Sequence, residues 1–395
     1  MPDYRYLIVG GGMTADAACR GIRDHDAGGT IGLVGAEGHA PYARPPLSKA
    51  LWQGKAEDTV WRGTAELGVD LQLGRRVTSL DLDARAATDD QGTRYSYERL
   101  LLATGGRPRR LPGAGEGDAA VYYRTLDDYR RIRELADRGS TFVVIGGGFI
   151  GSEMAAALRG AGCRVTLVFP EPGIGARLFP PELAAYVTED YRSHGVEVVA
   201  GAQVRAVESR GEGAAVMLAD GRSLEADAVV AGLGIEPATE LASTAGLPVD
   251  DGIVVDELGR AGGSESVFAA GDVARFPFEA LGVLARVEHE DHANSHGRAV
   301  GANMAGANAP YRHAPFFYSD LFELGYEAVG EVDSRLATTA EWAEPNRTGV
   351  VAYLDAEDRP RGFLLWGIFG KVDDATALLR AGAPLAPDEL RALLA

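Results

Sequence analysis

Two apolar runs in this chain are each followed by a glycine-rich turn and then by a segment with helical periodicity. Tyr6–Val9 leads into glycines 10 to 12, and Phe142–Ile145 leads into glycines 146 to 148. The helices are predicted to run over residues 13–26 and 150–161. A buried strand, a tight glycine turn and a helix in this order are typical of the βαβ unit that binds a dinucleotide. The pattern therefore predicts two such units, and with them electron transfer between two nucleotide cofactors.

The rest of each unit repeats as well. Each helix precedes a short strand, then a stretch of alternating apolar and polar residues that predicts a small antiparallel meander, and then a strand closed by glycine. These segments are residues 31–34, 77–97 and 100–105 in the first copy and residues 165–168, 204–226 and 228–234 in the second. Residues 92–108 align with residues 221–237 without a gap, which indicates one duplicated α/β unit rather than a long repeat array.

The pattern changes near Tyr311, where a separate C-terminal region begins. Further predicted strands lie at 253–256 and 267–272 before this point, and after it at 316–318, 349–354 and 362–368, followed by helices at 371–380 and 387–394. The predicted fold class is α/β, with two Rossmann-like dinucleotide-binding domains plus a C-terminal α+β interface domain.

Composition excludes several classes of partner. The formal net charge is −18, from 39 basic and 57 acidic residues. A field of this sign repels nucleic acid and anionic membrane surfaces, so neither is expected as a partner. The apolar runs are too short to span a bilayer, and strand-forming sequence begins by Tyr4. We therefore expect no targeting segment and a cytoplasmic location.

Arginines cluster locally despite the negative total charge. They stand at positions 107, 109, 110, 124, 130, 131 and 133. Two interpretations stay open: a solvated loop and helix face, or a docking patch for an acidic protein partner.

The only two cysteines, Cys19 and Cys163, lie far apart and form no C-x-x-C motif. A redox-active dithiol from sequence neighbours is therefore excluded, and both residues are expected to be buried apolar fillers.

The glycine turns predict where phosphates and riboses bind. Gly10 and Gly12 allow the backbone to approach a pyrophosphate, which then lies at the amino end of a helix. Glu37, at the end of the next strand, is placed to accept hydrogen bonds from an adenosine ribose. In the second copy a carboxylate at Glu171 favours the 2′-hydroxyl of NADH over the 2′-phosphate of NADPH, although Arg177 could soften this preference. The alternatives are an ordinary tight turn for the glycines and an exposed loop acid for Glu171.

The segment Pro41–Lys49 has no periodicity that explains it. Its prolines stiffen an extended loop, Ser48 could cap a helix beginning at Lys49, and Arg44 could neutralise a pyrophosphate. From the residues alone, a proline-rich connector is an equal alternative.

Taken together, these motifs resemble the FAD-dependent pyridine-nucleotide oxidoreductases, in the branch of bacterial ferredoxin reductases and apoptosis-inducing factor. The resemblance covers roughly residues 4–310 and rests on the two glycine turns, the loop at 41–49, the turn at 103–105 and the strand end at Gly271-Asp272. Residues 169–171, 325–330 and 365–369 are more similar to apoptosis-inducing factor than to the usual ferredoxin reductase.

The resemblance implies a set of binding residues for each cofactor. The FAD contacts would be Gly10, Gly12, Ala15, Glu37, Arg44, Lys49, Val77, Thr104, Gly105, Arg124, Asp272, Glu288, His289 and Tyr318. The NADH contacts would be Gly146, Gly148, Ile150, Glu153, Glu171 and Gly234. Tyr318 departs from the tryptophan that is usual in the family, so stacking there is expected to be weaker.

Four residues are implied to take part in the chemistry: Lys49, Glu153, His289 and Phe149. Lys49 would pair with Glu153 beside flavin N5, where a fixed ammonium stabilises the charge that hydride transfer creates. Phe149 would shield the flavin, and His289 would meet flavin and nicotinamide. From the residues alone, Glu153 could instead be an acid that complements the helix dipole. The His-rich segment after Glu288 could suggest a metal, but a redox flavoprotein needs none and no metal is predicted.

The resemblance also implies the domain boundaries and the activity. The FAD-binding domain would be discontinuous, at 1–118 and 245–310, with the NAD(H)-binding domain at 119–244 and the interface domain at 311–395. NADH, rather than NADPH, would reduce FAD, and the electrons would pass to an acceptor such as a quinone. The alternatives are a dedicated reductase for a [2Fe–2S] ferredoxin in an oxygenase or P450 system, and an NADH-responsive redox scaffold with little turnover. A homodimer is left open. Since Tyr42 stands where related oxidases place a redox cysteine, disulfide reduction is not expected.

Overall fold

The computed structural model describes residues 1–112 and 119–394 of the chain. Residue 118, the predicted end of the first FAD-binding segment, and residue 395 lie outside the described residues. The chain divides into two compact units. The first unit comprises Met1–Ala43, Asp58–Arg107 and Glu236–Phe316, and the second comprises Arg44–Glu57, Pro108–Ile235 and Phe317–Ala395.

The first unit is built on a seven-stranded sheet with a parallel centre. The strand Asp3–Val9 pairs in parallel with Ile31–Gly35 on one side and with Arg94–Leu102 on the other. Its apolar side chains are buried, as the strands of a parallel sheet covered on both faces require. The remaining strands are Val69–Leu73, Val77–Asp81, Ala86–Asp89 and Val267–Ala269. The strands at 77–81, 86–89 and 94–102 pair antiparallel, which confirms the predicted meander.

Two helices of the first unit pack closely because glycines face their partner. Met13–His25 lies against Glu290–Met304, where a Cβ at Gly301 would collide with the carbonyl oxygen of Ala18. A small sheet of Ile253–Val254, Ala274–Phe278 and Val283–Ala285, the helix Glu240–Thr244 and the 3-10 helices Thr64–Leu67, Gly271–Val273 and Glu279–Leu281 complete this unit. The strand at 253–254 is shorter than predicted.

The second unit contains an all-parallel sheet of five strands, which repeats the first fold. The strands lie in the order Glu197–Ala200, Arg164–Phe169, Thr141–Ile145, Ala228–Ala231 and Ala120–Tyr122. The helices are Leu126–Asp137, Phe149–Gly160 and Pro181–Ser193. The strands Val204–Arg210, Gly213–Leu218 and Ser223–Ala226 form the second predicted meander.

The C-terminal part of the second unit is a separate five-stranded sheet followed by two helices. Its strands, in spatial order, are Phe316–Leu321, Leu324–Gly330, Pro360–Trp366, Thr348–Leu354 and Ala337–Glu344. The helices are Val372–Ala381 and Pro387–Ala392. This arrangement confirms the predicted fold class.

Three further features bear on the predictions. Cys19 and Cys163 are buried and unpaired, and burial raises the pKa of both thiols. The predicted helix cap at Ser48 is wrong, since Ser48 ends the 3-10 helix Pro45–Ser48 instead of beginning a helix. Within residues 1–112 and 119–394, no helix combines the length and the hydrophobicity needed to cross a bilayer.

Candidate functional site

The first glycine turn leaves the amino end of a helix open for an anion. Gly10 has a φ of +130°, and a Cβ there would collide with the carbonyl oxygen of Ala103. Gly12 is the N-cap of the helix Met13–His25, and no side chain of the described residues caps this end. A Cβ at Gly12 would meet no atom within 4 Å. The helix N–H groups and the space above Gly12 therefore fit a phosphate group.

The second glycine turn repeats this geometry in the second unit. Gly146 has a φ of +114° and passes tightly against Gly232. Gly148 is the N-cap of Phe149–Gly160, has open space in place of a Cβ and, within the described residues, receives no side-chain cap. Each unit therefore has one cradle that suits a dinucleotide diphosphate.

An acidic residue follows the second parallel strand of each unit, as predicted. In the first unit the Tyr42 hydroxyl donates to Oε2 of Glu37 at 2.6 Å, and Tyr42 is buried. In the second unit Arg177 Nη2 lies 2.5 Å from Oε1 of Glu171. The Glu171 side chain is 21% exposed, whereas that of Arg177 is 82% exposed. The carboxylate is therefore largely shielded from solvent, while most of the guanidinium surface is open to solvent or a ligand.

The C-terminal sheet region holds the loop that carries this ion pair. Ser334 Oγ donates to the carbonyl oxygen of Ala176 at 2.7 Å, and the Ser334 amide donates to that of Arg177 at 3.0 Å. The Tyr353 hydroxyl donates to the carbonyl oxygen of Leu178 at 2.7 Å. Sequence reasoning missed these contacts, since nothing local to Ser334 or Tyr353 indicates them.

Lys49 and Glu153 form a buried ion pair in the second unit, as the resemblance implied. Lys49 Nζ lies 2.5 Å from Oε1 of Glu153, and the Lys49 side chain is only 12% exposed. The Nζ atom also lies 5.4 Å from the ring centre of Tyr318 and 4.0 Å from Oδ2 of Asp320. The ammonium is thus held between a buried carboxylate, an aromatic face and a half-exposed carboxylate.

The proline-rich loop before Lys49 is anchored by backbone carbonyls. Arg44 Nη1 donates to the carbonyl oxygen of Arg124 at 2.9 Å. The carbonyl oxygen of Leu47 accepts from Trp52 Nε1 at 2.7 Å and from the Tyr123 hydroxyl at 2.5 Å. These bonds fix the loop in the second unit.

Phe149, predicted to shield the flavin, is half-buried at the start of its helix. Its ring makes an edge contact with Phe317, with ring centres 5.5 Å apart. Two of the predicted NADH contacts lie in this unit as well. Ile150 follows Phe149 in the same helix. Gly234 accepts a hydrogen bond at its carbonyl oxygen from the Arg109 amide, at 2.9 Å.

The other predicted flavin contacts of the first unit lie at strand ends and turns. Thr104 Oγ1 donates to the carbonyl oxygen of Ala238 at 2.8 Å, and Gly105 has a φ of +62°. Asp272 is in the 3-10 turn Gly271–Val273. Ala15 and Val77 are buried, and Glu288 pairs with Arg286. Arg44, Lys49, Arg124 and Tyr318, by contrast, belong to the second unit.

The helix that begins after His289 carries two buried histidines: His292, which lies in the predicted His-rich segment, and His296, which sequence reasoning did not single out. His292 stacks on Phe276 with ring centres 4.5 Å apart, and its ring centre is 4.7 Å from that of His296. Burial lowers the pKa of His296 to about 3 and that of His292 well below its ordinary value; the pKa of half-buried His289 also falls. These rings are therefore neutral at pH 7. In the described part of the chain, no group of acidic, histidine or cysteine side chains is arranged as metal ligands.

Many of the clustered arginines are ion-paired, which favours the interpretation as a solvated face. Arg107 pairs with Glu236 and Glu240. Arg130 pairs with Glu57 at 2.6 Å, and Arg133 with Asp137 at 2.9 Å. Three of the seven clustered arginines thus have a carboxylate partner, which reduces the positive charge that they present.

Comparison with known proteins gives a consistent result. Residues 4–299 match the family described as pyridine nucleotide-disulphide oxidoreductase, and residues 300–348 match the C-terminal domain of apoptosis-inducing factor, mitochondrion-associated. The chain is 34% identical to apoptosis-inducing factor 1, mitochondrial, of Dictyostelium discoideum over 418 residues, covering 95% of this chain and 78% of that protein.

Two bacterial proteins are similar over almost their whole length. The ferredoxin–NAD(+) reductase component of the anthranilate 1,2-dioxygenase system of Burkholderia cepacia is 34% identical, covering 98% of this chain and 96% of that protein. The crystal structure of the ferredoxin reductase for the CYP199A2 system from Rhodopseudomonas palustris superimposes with a TM-score of 0.88 at 30% identity, covering 98% of this chain and 96% of that one.

Proposed function

Because the chain belongs to the pyridine nucleotide-disulphide oxidoreductase family, we propose that it oxidises NADH with bound FAD and delivers the electrons to a small-molecule acceptor. The chain is an oxidoreductase related to apoptosis-inducing factor and to ferredoxin reductases. The observation that carries the proposal is the buried Lys49–Glu153 pair in a unit that also holds a phosphate cradle at Gly148.

The residues of each cradle suit the cofactor assigned to them. Gly10 and Gly12 would hold the FAD diphosphate, with Glu37 at its ribose, and Gly148 would hold the NADH diphosphate, with Glu171 at its ribose. Bound FAD supplies the chemistry, since it accepts hydride and releases electrons singly. Lys49 supplies a positive charge that Glu153 keeps in place, and this charge stabilises negative charge that develops near it.

NADH is the proposed reductant because a fixed carboxylate repels a 2′-phosphate. Glu171 is held by Arg177 within a loop that the C-terminal sheet region clamps. The exposed guanidinium of Arg177 would favour NADPH, so the preference depends on whether it pairs with Glu171 or with a 2′-phosphate.

A reductase for a [2Fe–2S] ferredoxin is the second candidate. The nearly complete mutual coverage with the Burkholderia cepacia reductase component supports it. Arg130 and Arg133 are ion-paired, which makes a strongly basic docking patch for an acidic ferredoxin less favourable. For this reason we rank the small-molecule acceptor above the ferredoxin. The cytoplasmic location and a homodimer stay predictions.

Rapid mixing of the purified yellow protein with NADH or NADPH tests the proposal. We expect the flavin absorbance to bleach faster with NADH and the reduced protein to be reoxidised by a quinone. Reoxidation that requires added ferredoxin, followed through cytochrome c reduction, would favour the second candidate. A colourless protein that takes up no added FAD would refute both.

A further inference from the structure

Glu153 is buried, with 6% of its surface exposed, so its carboxylate needs hydrogen-bond donors in place of water. Three side chains supply them. Lys49 Nζ and Ser319 Oγ both contact Oε1, at 2.5 Å and 2.6 Å, and Ser48 Oγ contacts Oε2 at 2.6 Å. Ser48 and Lys49 come from the proline-rich loop, whereas Ser319 comes from the first strand of the C-terminal sheet.

The neighbouring strand carries a second buried hydroxyl group, that of Tyr326. Tyr326 lies on the strand next to that of Ser319, and both residues are buried. Burial, and then the nearby charge of Glu153, raises the pKa of Tyr326 well above its ordinary value, so the phenol keeps its proton. A serine hydroxyl has one proton, and here it goes to the acceptor-only carboxylate. The Ser319 hydroxyl therefore uses its single proton for the hydrogen bond to Oε1 of Glu153.

Tyr326 itself is held firmly. Its ring stacks on Trp366 with centres 5.5 Å apart, and it makes an edge contact with Phe179 at 5.3 Å. The terminal torsion of a glutamate has a broad energy minimum, so rotamer preference alone does not orient the carboxylate of Glu153. The orientation depends on its hydrogen bonds, and one of these comes from Ser319, whose strand neighbours that of the tightly packed Tyr326.

We propose that Ser319 is a positioning residue for the Lys49 ammonium: its hydroxyl fixes Oε1 of Glu153 and thereby the position of Nζ. This inference rests on the proposed function, in which Lys49 acts next to the flavin. Without the serine, Oε1 would turn toward Lys49 and Ser48, and the ammonium would shift with it. The C-terminal sheet is thus part of the active site.

The test compares four single variants of the full-length protein. Ser319→Ala removes the hydrogen bond, and Ser319→Cys keeps the side-chain volume but is a weak donor. Tyr326→Phe removes a buried hydroxyl from the neighbouring strand and leaves Ser319 in place. Thr376→Val is the matched control, because it removes a buried hydroxyl from the helix Val372–Ala381, away from Glu153.

We expect both Ser319 variants to lower the limiting rate of flavin reduction by NADH about tenfold, which corresponds to roughly 1.4 kcal/mol and is typical of one hydrogen bond to a charged group. The apparent dissociation constant of NADH should stay within about twofold, since Ser319 would act on the transition state and not on binding. Tyr326→Phe and Thr376→Val should leave this rate unchanged, since both keep the hydrogen bond between Ser319 and Glu153. A Ser319→Ala variant with the wild-type rate, or a Ser319→Cys variant restored to it, would overturn the proposal.

A second readout does not depend on turnover. In the protein as purified, the shifts in thermal midpoint caused by Ser319→Ala and Glu153→Gln should be non-additive, because both remove the same hydrogen bond. Additive shifts would overturn the proposal. A wild-type protein that NADH does not reduce would refute the proposed function. In that case the non-additivity of the two shifts in thermal midpoint would still test the hydrogen bond between Ser319 and Glu153.

Discussion

Mild acid should destabilise the first unit through its two buried histidines. His292 and His296 are at most 1% exposed, and their rings pack against each other and against Phe276 and Tyr311. The amide of Gly271 donates to Nδ1 of His296 at 3.3 Å, a bond that requires the unprotonated nitrogen. Protonation would bury a charge and break this bond, so the folded chain resists it.

The size of the effect follows from the pKa difference between the folded and unfolded states. Burial lowers the pKa of His296 from 6.5 to about 3, so the unfolded chain binds the proton more tightly. The contribution of His296 is fully present above pH 6.5 and is lost as the pH falls from 6.5 toward 3. Between about pH 7.5 and pH 5.5 the loss is about 1.4 kcal/mol, and His292 should add a similar amount. Together they would remove about 3 kcal/mol from a stability of about 5–15 kcal/mol.

Urea unfolding followed by circular dichroism at several pH values measures this loss. His296→Asn keeps a side-chain acceptor for the Gly271 amide but does not titrate, so it should lose about 1.4 kcal/mol less than the wild type between pH 7.5 and pH 5.5. His25→Gln, a change at an exposed histidine, should follow the wild type. Parallel curves for the wild type and His296→Asn would refute the reasoning.

Three other substitutions test different parts of the structure. Asp16→Asn should cost about 3 kcal/mol in urea unfolding, because the fully buried carboxylate pairs with Arg62 at 2.7 Å; an unchanged midpoint would contradict this. Glu171→Ala should raise the ratio of kcat/KM for NADPH to kcat/KM for NADH about tenfold, and Arg177→Ala should lower this ratio, as measured by steady-state kinetics. A ratio equal to that of the wild type in both variants would show that this loop does not select the nucleotide. Gly301→Ala should cost about 1–3 kcal/mol, since its Cβ would collide with the Ala18 carbonyl, and a wild-type melting temperature would show that the helices separate freely.

The elements that sequence predicted well are those specified by local chemistry. The helix at Met13–His25 follows directly from a glycine turn and was predicted to within a residue. The edge strand Ala337–Glu344 was missed because most of its residues are exposed and show no apolar alternation. The helix Pro181–Ser193 was missed as well, although a proline at its first turn is a recognisable start signal.

The candidate site was harder to predict because its contacts join distant segments. Lys49 and Glu153 are 104 positions apart, and Ser319 is 166 positions from Glu153. The pairing of the first two came from the family resemblance, and Ser319 came only from the structure. Ser48 shows why local preference failed: its hydroxyl satisfies a buried carboxylate instead of capping a helix, since an unpaired buried charge costs far more than a missing cap.

The two glycine turns share a sequence pattern but differ at the third small residue, which is Ala15 in the first unit and Gly151 in the second. A Cβ at Gly151 would collide with the carbonyl oxygen of Gly146, so the helix Phe149–Gly160 lies against its own turn without room for a methyl group. Ala15 is fully buried and carries that methyl group in the core beside Ile8. The size of the residue at the third position therefore depends on how closely the helix approaches the turn. Phosphate binding depends instead on the open helix end, which both units have, at Gly12 and at Gly148.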